Sequence, residues 1–410
     1  MERTFAFLSA CGVEIELMTV ENGTLTAAPY AKNILDEFEE DPGLSKNGVG
    51  ISNELVQHVI EFKSAPPPVR PWAARNGWDE SLRMIARSCE DKGYGLLGTG
   101  MHPWFNPSAE TLLWAWEDAE IYQWYHRTFD CHRHGFANLQ SIHLNIPFRT
   151  DDEFAVLHGA IRALLPLLPG LCASTPFIEG RISGMLDTRI DVYRNNQNRF
   201  PAIAGDVIPE ALYSEEAYHD GVFKPLETLL ATLPDSSIID SQWLNSRGAI
   251  ARFDRGSIEI RLMDAQECLD ADLAVAELVF GAVTKLCSAG RRDQERLRSI
   301  HRNRLVPILN GAVTDGDAYV VEDEEYLSLL GMHAPHGKMT VRDIWKNLYE
   351  DAKMDGSVAA DAGEVLGGYF ASGCLSARIL NACAGDFSRM SLEQVYRKLC
   401  ACEMENRTFP

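Results

Sequence analysis

Four short runs of the chain alternate apolar and polar residues with a period of two. In Gly12-Val13-Glu14-Ile15-Glu16-Leu17 the apolar set is Val13, Ile15 and Leu17, which leaves Glu14 and Glu16 on the other side. In His58-Val59-Ile60-Glu61-Phe62-Lys63, Ile60 and Phe62 oppose Glu61 and Lys63. In Ser141-Ile142-His143-Leu144-Asn145-Ile146 the polar pair is His143 and Asn145. In Ser257-Ile258-Glu259-Ile260-Arg261-Leu262 it is Glu259 and Arg261. Successive strand side chains point to opposite faces, so each run predicts a strand with one apolar and one polar face.

Around these runs the pattern predicts strands over 5–17, 55–63, 94–100, 141–148 and 252–264, and helices over 30–40, 71–92, 108–129, 221–233 and 271–289. Ser64-Ala65-Pro66-Pro67-Pro68 can continue neither a helix nor a central strand. Thr150-Asp151-Asp152-Glu153 opens a long helix with acidic residues at its positive end. The stretch 171–210, rich in Gly, Pro, Asn and Arg, reads as a long loop or lid, and the aromatic residues of 108–129, Trp114, Trp116 and Trp124 among them, read as core. Several connections are too short for crossovers, which favours a mixed or antiparallel sheet and an α+β fold. The expected organisation is a catalytic core over residues 1–290 and an accessory, mostly helical region over residues 291–410 packed on it.

Composition narrows the function. Of 410 residues, 46% are hydrophobic and 24% charged, enough apolar material for a real core. Lys and Arg number 38 against 59 Asp and Glu, a net charge of -21 that repels polyanions and argues against nucleic-acid or acidic-membrane partners. An anionic substrate would therefore need a local cluster of arginines. The most apolar stretch, 155–176, is interrupted by Arg162 and prolines and reads as a buried helix, not a membrane span. Met1-Glu2-Arg3-Thr4-Phe5 lacks the pattern of a secretory leader, and ten cysteines without a CxxC pair fit reduced thiols in a cytoplasm. Cys131-His132-Arg133-His134 has no second ligand pair at zinc spacing and reads as packing. Oligomeric state stays open, a homo-oligomer included.

The polar strand faces are unusual in kind. An ordinary wet face is rich in Thr, Ser and Lys, whereas these strands present carboxylates, an imidazole, an amide and a guanidinium. Carboxylates at i and i+2 sit roughly 6.5–7 Å apart at the backbone, and their oxygens can converge on a hard divalent cation. Pattern alone leaves two readings open: a solvated face, or a metal-and-phosphate face.

A resemblance separates them. Gly12-Val13-Glu14-Ile15-Glu16, the spaced pair Glu54 and Glu61, Gly98-Thr99-Gly100-Met101-His102-Pro103, Ser141-Ile142-His143-Leu144-Asn145, Ala173-Ser174-Thr175-Pro176-Phe177 with Asp187 and Arg189, and Ser257-Ile258-Glu259-Ile260-Arg261-Leu262-Met263-Asp264 follow one another over residues 12–264. In order and spacing they resemble the motifs of the glutamate–cysteine ligase family of the second type, the carboxylate–amine ligases. Asn145 stands where many members carry a second histidine, and the arginines at 247, 252 and 255 do not align cleanly with the family.

The resemblance implies a glutamine-synthetase-like core, a curved, mostly antiparallel sheet holding ATP and Mg2+ (Mn2+ as an alternative) on its concave face. It implies an ATP-dependent ligase that joins an amino acid to an amine through an acyl-phosphate. Carried over, Glu14, Glu16, Glu61 and Glu259 are the metal ligands, with Glu54 a weaker one. Glu61, Arg261 and Arg189 are catalytic, and Lys63, His143, Asn145, Arg252 and Arg181 bind nucleotide, phosphate or substrate. A metal-dependent phosphohydrolase, or a binder without turnover on the same fold, are the alternatives. His102 is divided between a site role and a loop role, and Cys11 reads as packing.

Overall fold

Seven strands build one antiparallel sheet: β1 Gly12–Glu21, β2 Val49–Asn53, β3 Val59–Ser64, β4 Tyr94–Leu97, β5 Ser141–Pro147, β6 Ala249–Arg252 and β7 Ser257–Asp264. Their order is β2-β3-β1-β5-β7-β6, and β4 continues the β5 edge of β1, pairing with Met18–Glu21 where β5 leaves off. The computed structural model describes residues 5–410; Met1–Thr4, part of the stretch read for a leader, lie outside the described residues.

The period-two pattern sets the layers. Val13, Ile15, Leu17, Ile60, Phe62, Ile142, Leu144, Ile146, Ile258 and Ile260 are all buried on one face. Helices Arg75–Asp91, Asp151–Leu164 and Leu269–Cys287 pack together on that side. The Asp151–Leu164 helix is capped by Thr150, whose side chain accepts from Glu153 N at 3.2 Å. By length and composition Asp151–Cys172 could cross a membrane, but 94% of its apolar window is buried inside the protein, so it is a core helix.

Local readings shift where a backbone requirement was hidden. The run 252–264 is not one strand: it starts on the last residue of β6, and Phe253-Asp254-Arg255-Gly256 turns the chain back into β7, with Gly256 at φ 67 and its N–H donating to Arg252 O at 2.8 Å. The run 108–129 is broken: helices Pro107–Glu110 and Ala119–Phe129 flank non-helical chain, and Trp116 is 44% exposed there while Trp114 and Trp124 are buried. Strand β2 was absent from the pattern, since Val49-Gly50-Ile51-Ser52-Asn53 is short and glycine-interrupted. The stretch 171–210 carries a small hairpin and helix Thr188–Asn195.

From 291 onward the chain is helical except for a two-stranded ribbon (Val320–Val321 with Met339–Thr340). Its apolar side chains are continuous with the core: Trp345, Leu348 and Leu366 join the cluster under the sheet, and Arg389–Glu405 lays Leu392, Val395, Tyr396 and Leu399 against Met18, Val20 and Leu97.

Candidate active site

The other sheet face opens into a cleft of about 560 Å³. Glu14, Glu16, Glu54, Glu61, Lys63, His143, Arg189, Arg252, Arg255, Glu259 and Arg261 all line it. Register explains the convergence: Glu14 lies opposite Lys63 on β3 and His143 on β5, Glu16 opposite Glu61, and Asn145 opposite Glu259. Directly opposed residues point to the same face, so strands distant in sequence bring their polar sets together.

His143 is at the centre. Its Nδ1 lies 3.1 Å from Glu14 Oε2 and 4.0 Å from Glu259 Oε1, and its Nε2 lies 2.9 Å from Ser141 Oγ. Ser141 in turn donates to Glu16 Oε2 through its N–H at 2.8 Å and its hydroxyl at 2.9 Å. Asn145 Nδ2 donates to Glu14 Oε1 at 3.1 Å. Glu61 Oε1 accepts from Ser52 Oγ at 2.6 Å, and Lys63 donates to the same hydroxyl at 2.9 Å. Glu14, Glu61 and His143 are the one group among the described residues in which three His, Cys, Asp or Glu donor atoms fall within 4.8 Å of one another.

A register shift places the arginine. Ile142 pairs with Met263 and Leu144 with Ile260, so His143 faces two residues of β7, Arg261 and Leu262. Such a bulge re-aims side chains beside it. Arg261 donates to Glu259 Oε1 through Nε at 3.1 Å and through Nη2, and the Tyr193 hydroxyl adjoins its guanidinium. Arg252 Nη1 lies 3.5 Å from Glu259 Oε2, and its buried Nε lies 3.9 Å from Asp254 Oδ1 without a hydrogen bond.

The electrostatics split along the sheet. Burial pushes the Glu61 carboxyl up to about 7, helped by the Glu14 charge, and Glu54 is raised well above its ordinary value by burial and then Glu16, Glu61 and Glu14. Burial alone would raise Glu259, but Arg261, His143 and Arg252 outweigh it and hold it at about 2. His143 is raised, its burial overcome by Glu14 and Glu16. Carboxylates crowded this way repel unless a cation sits among them.

Other anticipated residues lie at the margin of the cleft or outside it. Arg181 is exposed on the hairpin Phe177–Ile182, whose Gly180 N–H donates to Pro103 O at 2.8 Å, and does not line the cleft. Asn145 opens onto an adjoining pocket of about 360 Å³ that shares Glu14, Lys63 and Arg255 with the cleft. Arg189 is buried, its Nε 2.5 Å from Asp264 Oδ1 and its Nη2 3.3 Å from Arg261 O. Arg247 is buried against Glu210 at 2.6 Å, outside the cleft. His102 is a loop residue: Nε2 lies 2.7 Å from Leu25 O, and burial lowers its pKa to about 4. Cys11 is a core residue whose thiol is raised by burial. Tyr122, Tyr125, Phe136, Tyr193, Gln197 and Trp243 form the facing wall, and the sequence reading had assigned none of them to the site.

The comparisons with known proteins agree with this architecture. Residues 10–307 match the model of glutamate-cysteine ligase family 2. The chain belongs to that family, and its class is the ATP-dependent carbon–nitrogen ligases. An uncharacterised protein of Archaeoglobus fulgidus is 34% identical over 312 residues, 72% of this chain and 80% of that one. A glutamate–cysteine ligase of Haloquadratum walsbyi is 23% identical over 285 residues, 68% of this chain and 70% of that one. In fold, the chain is similar to the crystal structure of a Francisella tularensis glutamate–cysteine ligase in complex with AMP, with a TM-score of 0.61, 14% identity and coverage of 98% of this chain and 95% of that one.

Proposed function

We propose that this chain uses ATP to join the carboxylate of an amino acid to an amine, through an acyl-phosphate, on the polar sheet face. A carboxylate oxygen is a poor leaving group, so it is phosphorylated first, and the amine then displaces phosphate. Positioning and charge neutralisation carry most of such a phosphoryl transfer. Lys63, Arg252, Arg255 and Arg261 supply local positive charge inside a protein of net charge -21, at the place where a triphosphate and an acid must meet.

The donor set fits a divalent cation. Two carboxylates and an imidazole, Glu14, Glu61 and His143, converge within 4.8 Å, with Glu16, Glu54 and Glu259 around them. Magnesium bound there would neutralise phosphate oxygens. That convergence is the observation which carries the reading. Residues 1–290 would form the catalytic unit and 291–410 its helical brace.

The test is ADP release with Mg2+-ATP across a panel of amino acids and amines. ADP is expected only when acid and amine are both present, and Glu14→Gln or Glu259→Gln should cut turnover at least about a hundredfold with an unchanged circular dichroism spectrum. Phosphate release from ATP without an amine, or full activity in both variants, would overturn the reading.

A further inference from the structure

The wall that faces the sheet differs from it in chemistry. Asp118, Ile121, Tyr122 and Tyr125 all line the cleft, and their spacing of i, i+3, i+4 and i+7 marks one face of helix Ala119–Phe129 and its N-cap. Trp243 joins that face, since the Tyr125 hydroxyl donates to Trp243 O at 3.0 Å. Asn53 Nδ2 donates to the Tyr122 hydroxyl at 3.0 Å and ties the helix to the β2 edge of the sheet. Both hydroxyls are used within the protein, so the cleft receives ring surface from these side chains. Trp243 is 49% exposed, an indole left open on the wall of a cleft.

Charge is divided unevenly around this space. Lys63, Arg252, Arg255 and Arg261 sit on the sheet or on the turn between β6 and β7, where phosphates and the reacting acid belong. Among the other described residues that line the cleft, Arg189 is the one Lys or Arg, and it is buried and held by Asp264. The helix wall carries a single charged group, the exposed Asp118, whose side chain does not cap the helix. An amino acid serving as the amine would bring its carboxylate to this wall, where no cation meets it and Asp118 repels it. An amine without that group brings only an ammonium, which Asp118 attracts and aromatic faces accommodate. The adjoining pocket of about 360 Å³, beside Lys63 and Arg255, gives the nucleotide room away from these rings.

We infer that the wall of Ile121, Tyr122, Tyr125 and Trp243 is the amine subsite, and that the preferred amine carries an aromatic or apolar body and no carboxylate. The inference rests on the ligase reading: the acyl-phosphate forms on the sheet face, and the amine reaches it from the wall opposite.

The experiment measures ADP release with Mg2+-ATP and each common amino acid as the acid, against matched amines: phenethylamine with L-phenylalanine, tyramine with L-tyrosine, and cysteamine with L-cysteine. With the best acid, the amine lacking a carboxylate should show at least about tenfold higher kcat/KM in each pair. Phenethylamine should exceed cysteamine about tenfold, through ring contact. Trp243→Ala should raise KM for phenethylamine about tenfold while KM for ATP moves less than about twofold, and Trp243→Phe should recover most of the loss. Trp243 is half exposed, so its truncation leaves the core intact. Asp118→Lys should shift preference about tenfold toward the carboxylated member of each pair. A higher kcat/KM for L-cysteine or L-phenylalanine than for its decarboxylated counterpart overturns the inference and leaves the ligase reading standing. So does a Trp243→Ala variant in which KM for ATP rises instead of KM for phenethylamine, because the rings would then hold the nucleotide base. An unchanged KM for phenethylamine, or no ADP release with any of the three decarboxylated amines, overturns it as well. ADP release that needs no amine ends the ligase reading and the inference together.

Discussion

Asp264 shows how one side chain can hold a site together without entering it. Its Oδ2 accepts from Ser174 N at 2.9 Å, Ser174 Oγ at 3.2 Å and Thr175 Oγ1 at 3.1 Å, while Oδ1 takes Arg189 Nε. Arg189 then donates to the Arg261 backbone, so the support passes from a buried acid to a cleft-lining arginine. Removing one partner of a buried pair strands the other charge, which costs about 3–5 kcal/mol. Asp264→Ala should lose that much in urea denaturation; a loss below about 1 kcal/mol would show that Arg189 finds water instead. The sequence placed Asp264 and Arg189 in motifs near the chemistry. That Arg189 turns inward to meet Asp264 depends on the burial of both, which no local pattern reports.

Elements were legible where the period was clean. Runs of strict alternation became β1, β3, β5 and β7, and residues 71–92 and 271–289 became helices with ends moved by a few residues. The errors came from turns. The strand read over 252–264 concealed the turn between β6 and β7 because that turn depends on one glycine at positive φ, a conformation any larger residue adopts only with strain. Gly256→Ala should therefore destabilise by about 1–3 kcal/mol in thermal or urea unfolding. It should also raise KM for ATP, since the same turn aims Arg252 and Arg255. Unchanged stability would mean that the turn relaxes without strain. The bulge opposite His143 was invisible for a related reason: an extra residue in one strand can be counted only against its partner.

At the scale of the molecule, the C-terminal helix carries a buried acid. Glu403 is 2% exposed, neither oxygen has a partner, and its neighbour across the contact is Gly98, where a Cβ would collide with the Glu403 carboxylate and Gln266 O. Burial, then Glu267, pushes its carboxyl up to about 8 from the ordinary 4.5. Between those values the folded protein keeps a proton that the unfolded chain releases, so stability falls as pH rises through that window and levels off above it. The slope from this one group is at most about 1.4 kcal/mol per pH unit. Glu403→Gln should therefore gain stability relative to the parent as pH goes from 5 to 8, measured by denaturant midpoint; a difference that does not change with pH would place the titration elsewhere. The same contact ties residues beyond 291 to the sheet, and the apolar cluster running through both regions makes them one core.

Alternation alone determined that four strands would each have a polar face made of carboxylates, His, Asn and Arg, and the ordered motifs along the chain determined the family. Both are properties of near neighbours and of spacing, which a linear pattern records. Only the tertiary structure decided which donors meet. It put Glu14, Glu61 and His143 within a few ångströms, turned Arg181 outward and brought Tyr193 and Gln197 into the cleft. Those outcomes depend on strand register, one bulge and the docking of a helix from a stretch read as loop. Each is set by contacts between segments far apart in sequence, where no single run of residues holds the information.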